Sequence, residues 1–246
     1  RNRIQVNRQR LQRMGDLLGV LQVTVFSPDD LELVKGGPTL RRGWVDAALA
    51  SRHPKHAALR SDIERVLKQR NALLRSAGGR LDADGAFTLD VWDSKLAEIG
   101  TALVTARLDL LDEMAGELTR AYDAVAQKMA SVTAVYQQSW NGDLGEALLG
   151  ARQLDIRRGV STLGPHRDEI LLSIGGAPAR THASQGEQRS LALALRLAAD
   201  AVIRVAGIAE PVLLLDDVFS ELDPGRAGAL LDALPTSQRI LTTAAG

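Results

Sequence analysis

Asp216 and Asp217 stand side by side directly after an unbroken apolar run, Val212-Leu-Leu-Leu215. Adjacent charges at the end of a buried strand are costly unless a cation or a proton-transfer step uses them. Open α/β sheets bind their ligands at the carboxyl ends of strands, which is where this pair falls. Mg²⁺ held for a nucleotide suits it, because that ion takes oxygen ligands and often only one or two carboxylates. A strand that simply ends in a solvated acidic turn has the same sequence. A second polar turn, Ser220-Glu-Leu-Asp223, follows at once. Upstream, Ser184-Gln-Gly-Glu-Gln188 opens a Leu- and Ala-rich stretch. A hydroxyl, a glycine that admits close backbone approach and the free amides of a helix start together make a phosphate site. An ordinary N-cap with a polar first turn reads identically.

These groups need rigid elements behind them. The apolar run reads as a parallel strand buried on both faces, and Gln188 to Val205, free of Gly and Pro, as a helix. Alternation predicts strands over 3–8, Val20–Phe26, Val132–Tyr136, Leu154–Ile156 and Glu169–Ile174, with a last strand at Arg239–Thr243. Short helices are expected at Leu11–Leu18, stopped by Gly19, and near Arg226–Leu234. Thr39 is placed to cap the helix that holds Arg41, Arg42 and Trp44. From His56 to Ser76 the apolar residues recur at helical spacing, and Asp82–Gly85 reads as a polar loop. A stripe from Leu96 to Met129 then continues for over 30 residues. That length suggests a helical hairpin, Leu59–Ser76 against part of Asp90–Met129.

The 246 residues suffice for one large or two modest domains with a real core. The absence of cysteine excludes disulfides and thiolate metal sites, and makes a reducing compartment, the cytoplasm, the expected location. No apolar run approaches the roughly 20 residues of a membrane span. Aromatics make up only 3%, so base stacking is not the expected chemistry. Net charge is zero but uneven: residues 1–80 hold 16 Lys and Arg against 7 acids, residues 81–150 hold 4 against 12. The basic third either faces an anionic partner or matches the acidic third internally. Arg41, Arg42, Arg60, Lys68 and Arg70 are its candidates for salt-sensitive contacts to such a partner, which the family resemblance given next implies is DNA.

In this order the blocks resemble the C-terminal half of an ATP-binding-cassette (ABC) ATPase head of the SMC and DNA-repair type. They are most similar to the RecF family of recombination mediators. The resemblance rests on Val25-Phe-Ser-Pro-Asp-Asp-Leu31, Leu67-Lys-Gln-Arg-Asn-Ala-Leu-Leu74 and Gly164-Pro-His-Arg-Asp168. It continues in Ala183-Ser-Gln-Gly-Glu-Gln-Arg189, Leu191-Ala-Leu-Ala-Leu-Arg196 and the stretch from Leu213 to Pro224, so it spans essentially the whole chain. It implies an α/β P-loop NTPase head with an inserted α-helical arm, a short coiled-coil hairpin. Residues 1–50 would belong to the head, 51–130 to the arm, and 131–246 to the head with signature, Walker B and D-loop.

The resemblance also implies roles, with ATP and Mg²⁺ as cofactors. Asp216 matches the Walker B carboxylate that holds Mg²⁺, and Asp217 the residue that orients or deprotonates the attacking water, where relatives usually carry Glu. Ser184 and Gly186, within the signature Ser184-Gln185-Gly186-Glu187-Gln188, match residues that touch the γ-phosphate of ATP on the other protomer. Ser220 and Asp223 match the D-loop at the dimer interface. The implied activity is an ATP-dependent homodimer on gapped or single-strand-containing DNA that aids recombinase loading with RecO and RecR.

Three departures qualify the match. No Gly-x-x-x-x-Gly-Lys-Ser/Thr occurs anywhere in the chain, so the P-loop lobe is expected to precede Arg1, and the chain alone is expected to bind ATP poorly and be inactive. Thr242-Thr243 stands where transporter relatives carry a switch His. Ser27-Pro28 stands where many cassette ATPases place a Gln. A transporter ATPase subunit and a non-catalytic scaffold are the rival readings. His166 and Arg167 either face phosphate or shape a turn in which Arg167 pairs with Asp168 or Glu169.

Overall fold

Two left-handed residues set the first feature of the chain. Strands β1 (Gln5–Val6) and β2 (Gln9–Arg10) pair antiparallel across Asn7 and Arg8, with φ of 50° and 68°. The single strand expected over 3–8 is therefore a tight hairpin, because two consecutive positive-φ residues reverse the chain. The computed structural model describes residues 5–11, 21–205 and 210–243. The helix expected at Leu11–Leu18 lies outside them apart from Leu11.

β3 (Val23–Phe26) leads through a 3₁₀ turn at Pro28–Asp30 into α1 (Leu31–Lys35). The backbone N–H of Ser27 donates to Asp30 at 3.0 Å and closes this turn. α2 (Pro38–Arg52) starts at a proline, with Gly37 at the cap position. Thr39 sits inside the first turn and accepts a hydrogen bond from Arg42 instead of capping. α3 (Pro54–Ser76) is capped by His53, whose ring accepts the Lys55 N–H. α4 (Ala83–Ala126) runs for 44 residues, about 66 Å at 1.5 Å per residue. It begins seven residues before Asp90 because Asp82 accepts the Gly85 N–H at 2.8 Å, turning the expected polar loop into a cap. Arg70 meeting Asp93 and Leu59 lying beside Ala106 show α3 folded back antiparallel on α4.

β4 (Val132–Gln137) is followed by α5 (Leu144–Arg158), which absorbs the strand expected at Leu154–Ile156. Three alternating residues also fit a helix face. Asp143 capping Glu146 and Gly159 at φ 65° fix the helix ends. β5 (Glu169–Ile174), β6 (Ala177–Pro178), α6 (Ala179–His182) and α7 (Gln185–Val205) come next. β7 (Val212–Asp216), α8 (Pro224–Ala233) and β8 (Arg239–Thr242) complete the described chain.

Two three-stranded sheets result. β3-β7-β8 is parallel with β7 central, and β4-β5-β6 is antiparallel. Below the parallel sheet, Phe26, Leu213, Leu215, Val218, Leu230 and Leu234 pack on Leu193 and Leu197 of α7 and Val125 of α4. The opposite face is open: Val23, Val25 and Ile240 are 41%, 43% and 49% exposed. β7 was expected to be buried on both faces, yet among the described residues helices cover only one. A second core runs without a break through Trp44 and Val45 of α2, Ile63 and Val66 of α3, Leu110 and Met114 of α4, and Leu191 and Leu195 of α7. The hairpin is thus seated in the same core as α7, and each fully buried Leu or Ile there contributes about 1.5–3 kcal/mol.

Candidate functional site

The carboxylate pair sits at the exposed carboxyl end of β7. Asp216 accepts a 2.5 Å hydrogen bond from the Thr242 hydroxyl, so Thr242 lies directly on the strand-end carboxylate. Asp217 has left-handed backbone angles, φ 50° and ψ 26°, a conformation that Asp and Asn tolerate better than other residues with a Cβ. Its N–H donates to the Thr242 carbonyl at 3.2 Å. The chain then makes a 3₁₀ turn, Val218–Glu221, anchored by buried Val218 and by the Ser220 hydroxyl on the Asp217 carbonyl at 2.8 Å. Asp223 caps α8 by accepting the Arg226 N–H at 3.0 Å, with Pro224 in the first turn.

Arg226 then returns the chain to the start of α7. Its guanidinium lies so close to Gly186 that a methyl group there would sit 2.3 Å from Nη1. α7 opens with a reciprocal cap: the Ser184 N–H and hydroxyl both donate to Glu187 at 2.9 Å, and the Glu187 N–H returns to Ser184 at 3.3 Å. Those bonds from Ser184, first its backbone, hold the half-buried Glu187 below the usual carboxylate range, and Lys128 lies 3.5 Å away. Ser184 and Gln185 are exposed, and Gly186 is half-buried. Gln188 is buried and donates to the Ala179 and Arg180 carbonyls at 3.0 Å. Expected beside the nucleotide, it instead ties α7 to α6. Beneath this end lies the fully buried Tyr122, whose hydroxyl has no hydrogen-bond partner. Further along α7, Arg196 pairs with Asp30 and Asp200 accepts from Thr24, which fixes the helix against β3.

The basic residues divide. Arg41 is buried, forked onto Glu169 by two 2.8 Å bonds and donating to the Leu33 and Gly36 carbonyls. Arg70 is fully buried, bonded to Asp93, Asp155 and Ser161 at 2.7–2.8 Å. Both were expected on a DNA face, and both point inward because internal carboxylates claim them. Arg60 and Lys68 are exposed on α3. Arg42 is half-buried, with bonds to the Asp168 carbonyl at 2.5 Å and to Thr39. Sequence reasoning missed Arg107, forked onto Asp46 and donating to Tyr136 and the Pro165 carbonyl.

The 164–168 loop is a junction of these networks. One of the two readings paired Arg167 with Asp168 or Glu169; it donates instead to the Ser161 carbonyl at 3.1–3.2 Å. Asp168 is already taken by the Tyr136 hydroxyl and the Ser139 N–H, and Glu169 by Arg41. The His166 Nε2 faces the same Ser161 carbonyl at 3.3 Å. Burial above all, and then the charges of Arg167, Arg42 and Arg70, push its pKa down to about 4.

No protein-family model matches the chain. It is 44% identical over 99% of its length to a "DNA replication and repair protein RecF" of Frankia alni, covering 69% of that relative. A protein of the same name from Cutibacterium acnes is 42% identical, with 99% of this chain and 68% of that relative covered. The chain belongs to the RecF family of DNA replication and repair proteins. Two solved structures of the recombination mediator protein RecF, described as RecF-ATP and RecF-ATPrS in the RecFOR pathway, superpose with TM-scores of 0.87 and 0.85 at 28% and 27% identity. Each match covers 99% of this chain, and 67% and 68% of the respective solved chain. The fold is that of the RecF-type ABC ATPase head with mixed helix and sheet. Among the described residues no helix is long and apolar enough to cross a membrane.

Proposed function

We propose that this chain supplies the Walker B and signature half of an ATP-gated, DNA-binding RecF head that pairs with a second copy. One observation carries the reading: the single segment from Asp216 to Arg226 begins at the carboxylate pair, forms the D-loop turn, and ends against Gly186 at the start of α7. Phosphoryl transfer needs mainly positioning and charge neutralisation, and this layout offers both along one edge. Asp217 is the residue to orient the attacking water. Ser184 and Gly186, with Ser220 and Asp223, would meet ATP held by the partner copy, and the Glu187 cap keeps the Ser184 turn in shape. RecO and RecR are the implied mediator partners on gapped DNA.

Asp216 would hold Mg²⁺. Among the described residues no three His, Asp or Glu side chains form a metal cage. An exposed single carboxylate at a strand end is the donor set of an ion that takes its other ligands from phosphate and water. Bound there, Mg²⁺ would neutralise phosphate charge.

Asp217→Asn tests the reading, made in the complete reading frame and measured by ATP-dependent association. The variant is expected to accumulate as an ATP-bound dimer because the attacking water loses its base. Self-association identical with and without ATP, in wild type and variant alike, would leave the scaffold rival standing.

A further inference from the structure

A cleft of about 190 Å³ opens between α2, α3, α4 and the 164–168 loop, away from the β7 edge and the start of α7. Three guanidiniums line it, those of Arg42, Arg60 and Arg107, together with Thr39 and the bare backbone of Gly43. Two carboxylates share the cleft, one fixed on Arg107 and one held loosely by Arg60. Asp46 is spent on Arg107, which grips both its oxygens at 2.8 Å. Glu64 reaches Arg60 through one 3.1 Å bond, with the two side chains 66% and 50% exposed. Exposed pairs four apart on a helix are weak and are screened by salt, so this one exchanges readily for a stronger anion. Arg42 has its pKa lowered by burial first and then by the charge of Arg107, with Glu169 and Asp168 offsetting part of that.

We propose that this cleft is a phosphate-binding site, with Arg60 and Arg42 as the ligating guanidiniums and Thr39 as a hydroxyl donor. Arg107 supplies field without ligation, because Asp46, Tyr136 and the Pro165 carbonyl already occupy it. A guanidinium fork matches phosphate geometry, and a dianion or phosphodiester relieves the repulsion between Arg42 and Arg107. The phosphate belongs either to a DNA backbone crossing α2 and α3 or to a free phosphate ion. The first source rests on the DNA-binding part of the reading above.

The test uses the chain itself with the Arg60→Gln variant. Arg65→Gln is the control, since Arg65 is exposed on α3, pairs with Asp62 and does not line the cleft. Two titrations are run: a gapped duplex oligonucleotide at several salt concentrations, and inorganic phosphate followed by NMR shifts of the Thr39 and Gly43 amides. For a DNA phosphate, Arg60→Gln lowers affinity several-fold at low salt and reduces the slope of log affinity against log salt by roughly 1, whereas Arg65→Gln changes neither. For free phosphate alone, Arg60→Gln abolishes the amide shifts and leaves DNA affinity unchanged. Arg60→Gln matching Arg65→Gln in both titrations overturns the site. If the wild-type chain fails to bind DNA, the DNA reading falls, and the inorganic phosphate titration alone decides the cleft.

Discussion

Arg70→Met separates a structural arginine from a DNA contact. Arg70 is fully buried and reaches Asp93 at 2.7 Å, Asp155 at 2.7 Å and Ser161 at 2.8 Å, joining α3 to α4, α5 and the 161 turn. Removing one partner of a buried ion pair costs about 3–5 kcal/mol, because the remaining charge is left uncompensated. Here both carboxylates keep other partners. Asp93 retains Arg152 at 2.7 Å, and Asp155 retains the Thr162 N–H and hydroxyl at 2.9 and 2.6 Å. The low end, about 3 kcal/mol, is therefore expected. At about 2–4 °C per kcal/mol for a chain of this size, that is a fall in Tm of roughly 6–12 °C. Urea unfolding of the chain measures it directly, and adding Asp155→Asn to Arg70→Met recovers part of the loss by neutralising the stranded charge. Lys68→Gln, two residues away but exposed, shifts stability by less than about 0.5 kcal/mol. An Arg70→Met protein as stable as wild type but with weakened DNA affinity would refute the inward placement and restore Arg70 to a DNA face.

Two further substitutions probe the loop and the start of α7. His166 is neutral in the fold, with its pKa pushed down to about 4 from 6.5, so the unfolded chain binds more protons between those values. Its contribution is complete above about pH 6.5 and is lost as pH falls to about 4, by up to about 3 kcal/mol. His166→Gln, which keeps a donor for the Ser161 carbonyl, is expected to flatten that acid limb of a Tm-against-pH series, and parallel curves would contradict the burial argument. Gly186→Ala puts a methyl 2.3 Å from Arg226 Nη1, but the obstacle is the mobile end of a long side chain. Stability is expected to stay within about 0.5 kcal/mol of wild type, while ATP-dependent association, assayed as for Asp217→Asn, is lost. Loss of both together would make Gly186 a folding residue instead.

What could be read from the sequence follows from how local each feature is. Asp216, Asp217, Ser220 and Asp223 lie on one continuous segment, so the order of residue types already contains their arrangement along the β7 edge. The caps at Asp82, Asp143 and Asp223, each bonding an N–H three residues ahead, are equally local yet were not expected, since a polar turn such as Asp82–Gly85 reads as a loop as readily as a cap. The inward arginines are a matter of tertiary pairing, since nothing within a few residues of Arg70 announces Asp155 or Ser161. A partial signal was nevertheless present. Ile63, Val66, Arg70 and Leu74 step by three and four along α3, and all are buried. Leu103, Arg107, Leu110 and Met114 do the same along α4. An arginine inside an apolar stripe has to carry its own counter-ion into the core, because an unpaired buried charge is not sustainable. The stripe therefore predicts partners without naming them: Asp93 falls in the acid-rich residues 81–150, but Asp155 and Asp46 lie outside that stretch. Asp93 and Asp155 answer Arg70 and Asp46 answers Arg107, while Arg60 and Lys68 fall off the stripe and stay in solvent. The basic third is thus two populations with one composition, and helical phase decides which cations remain for an anionic partner.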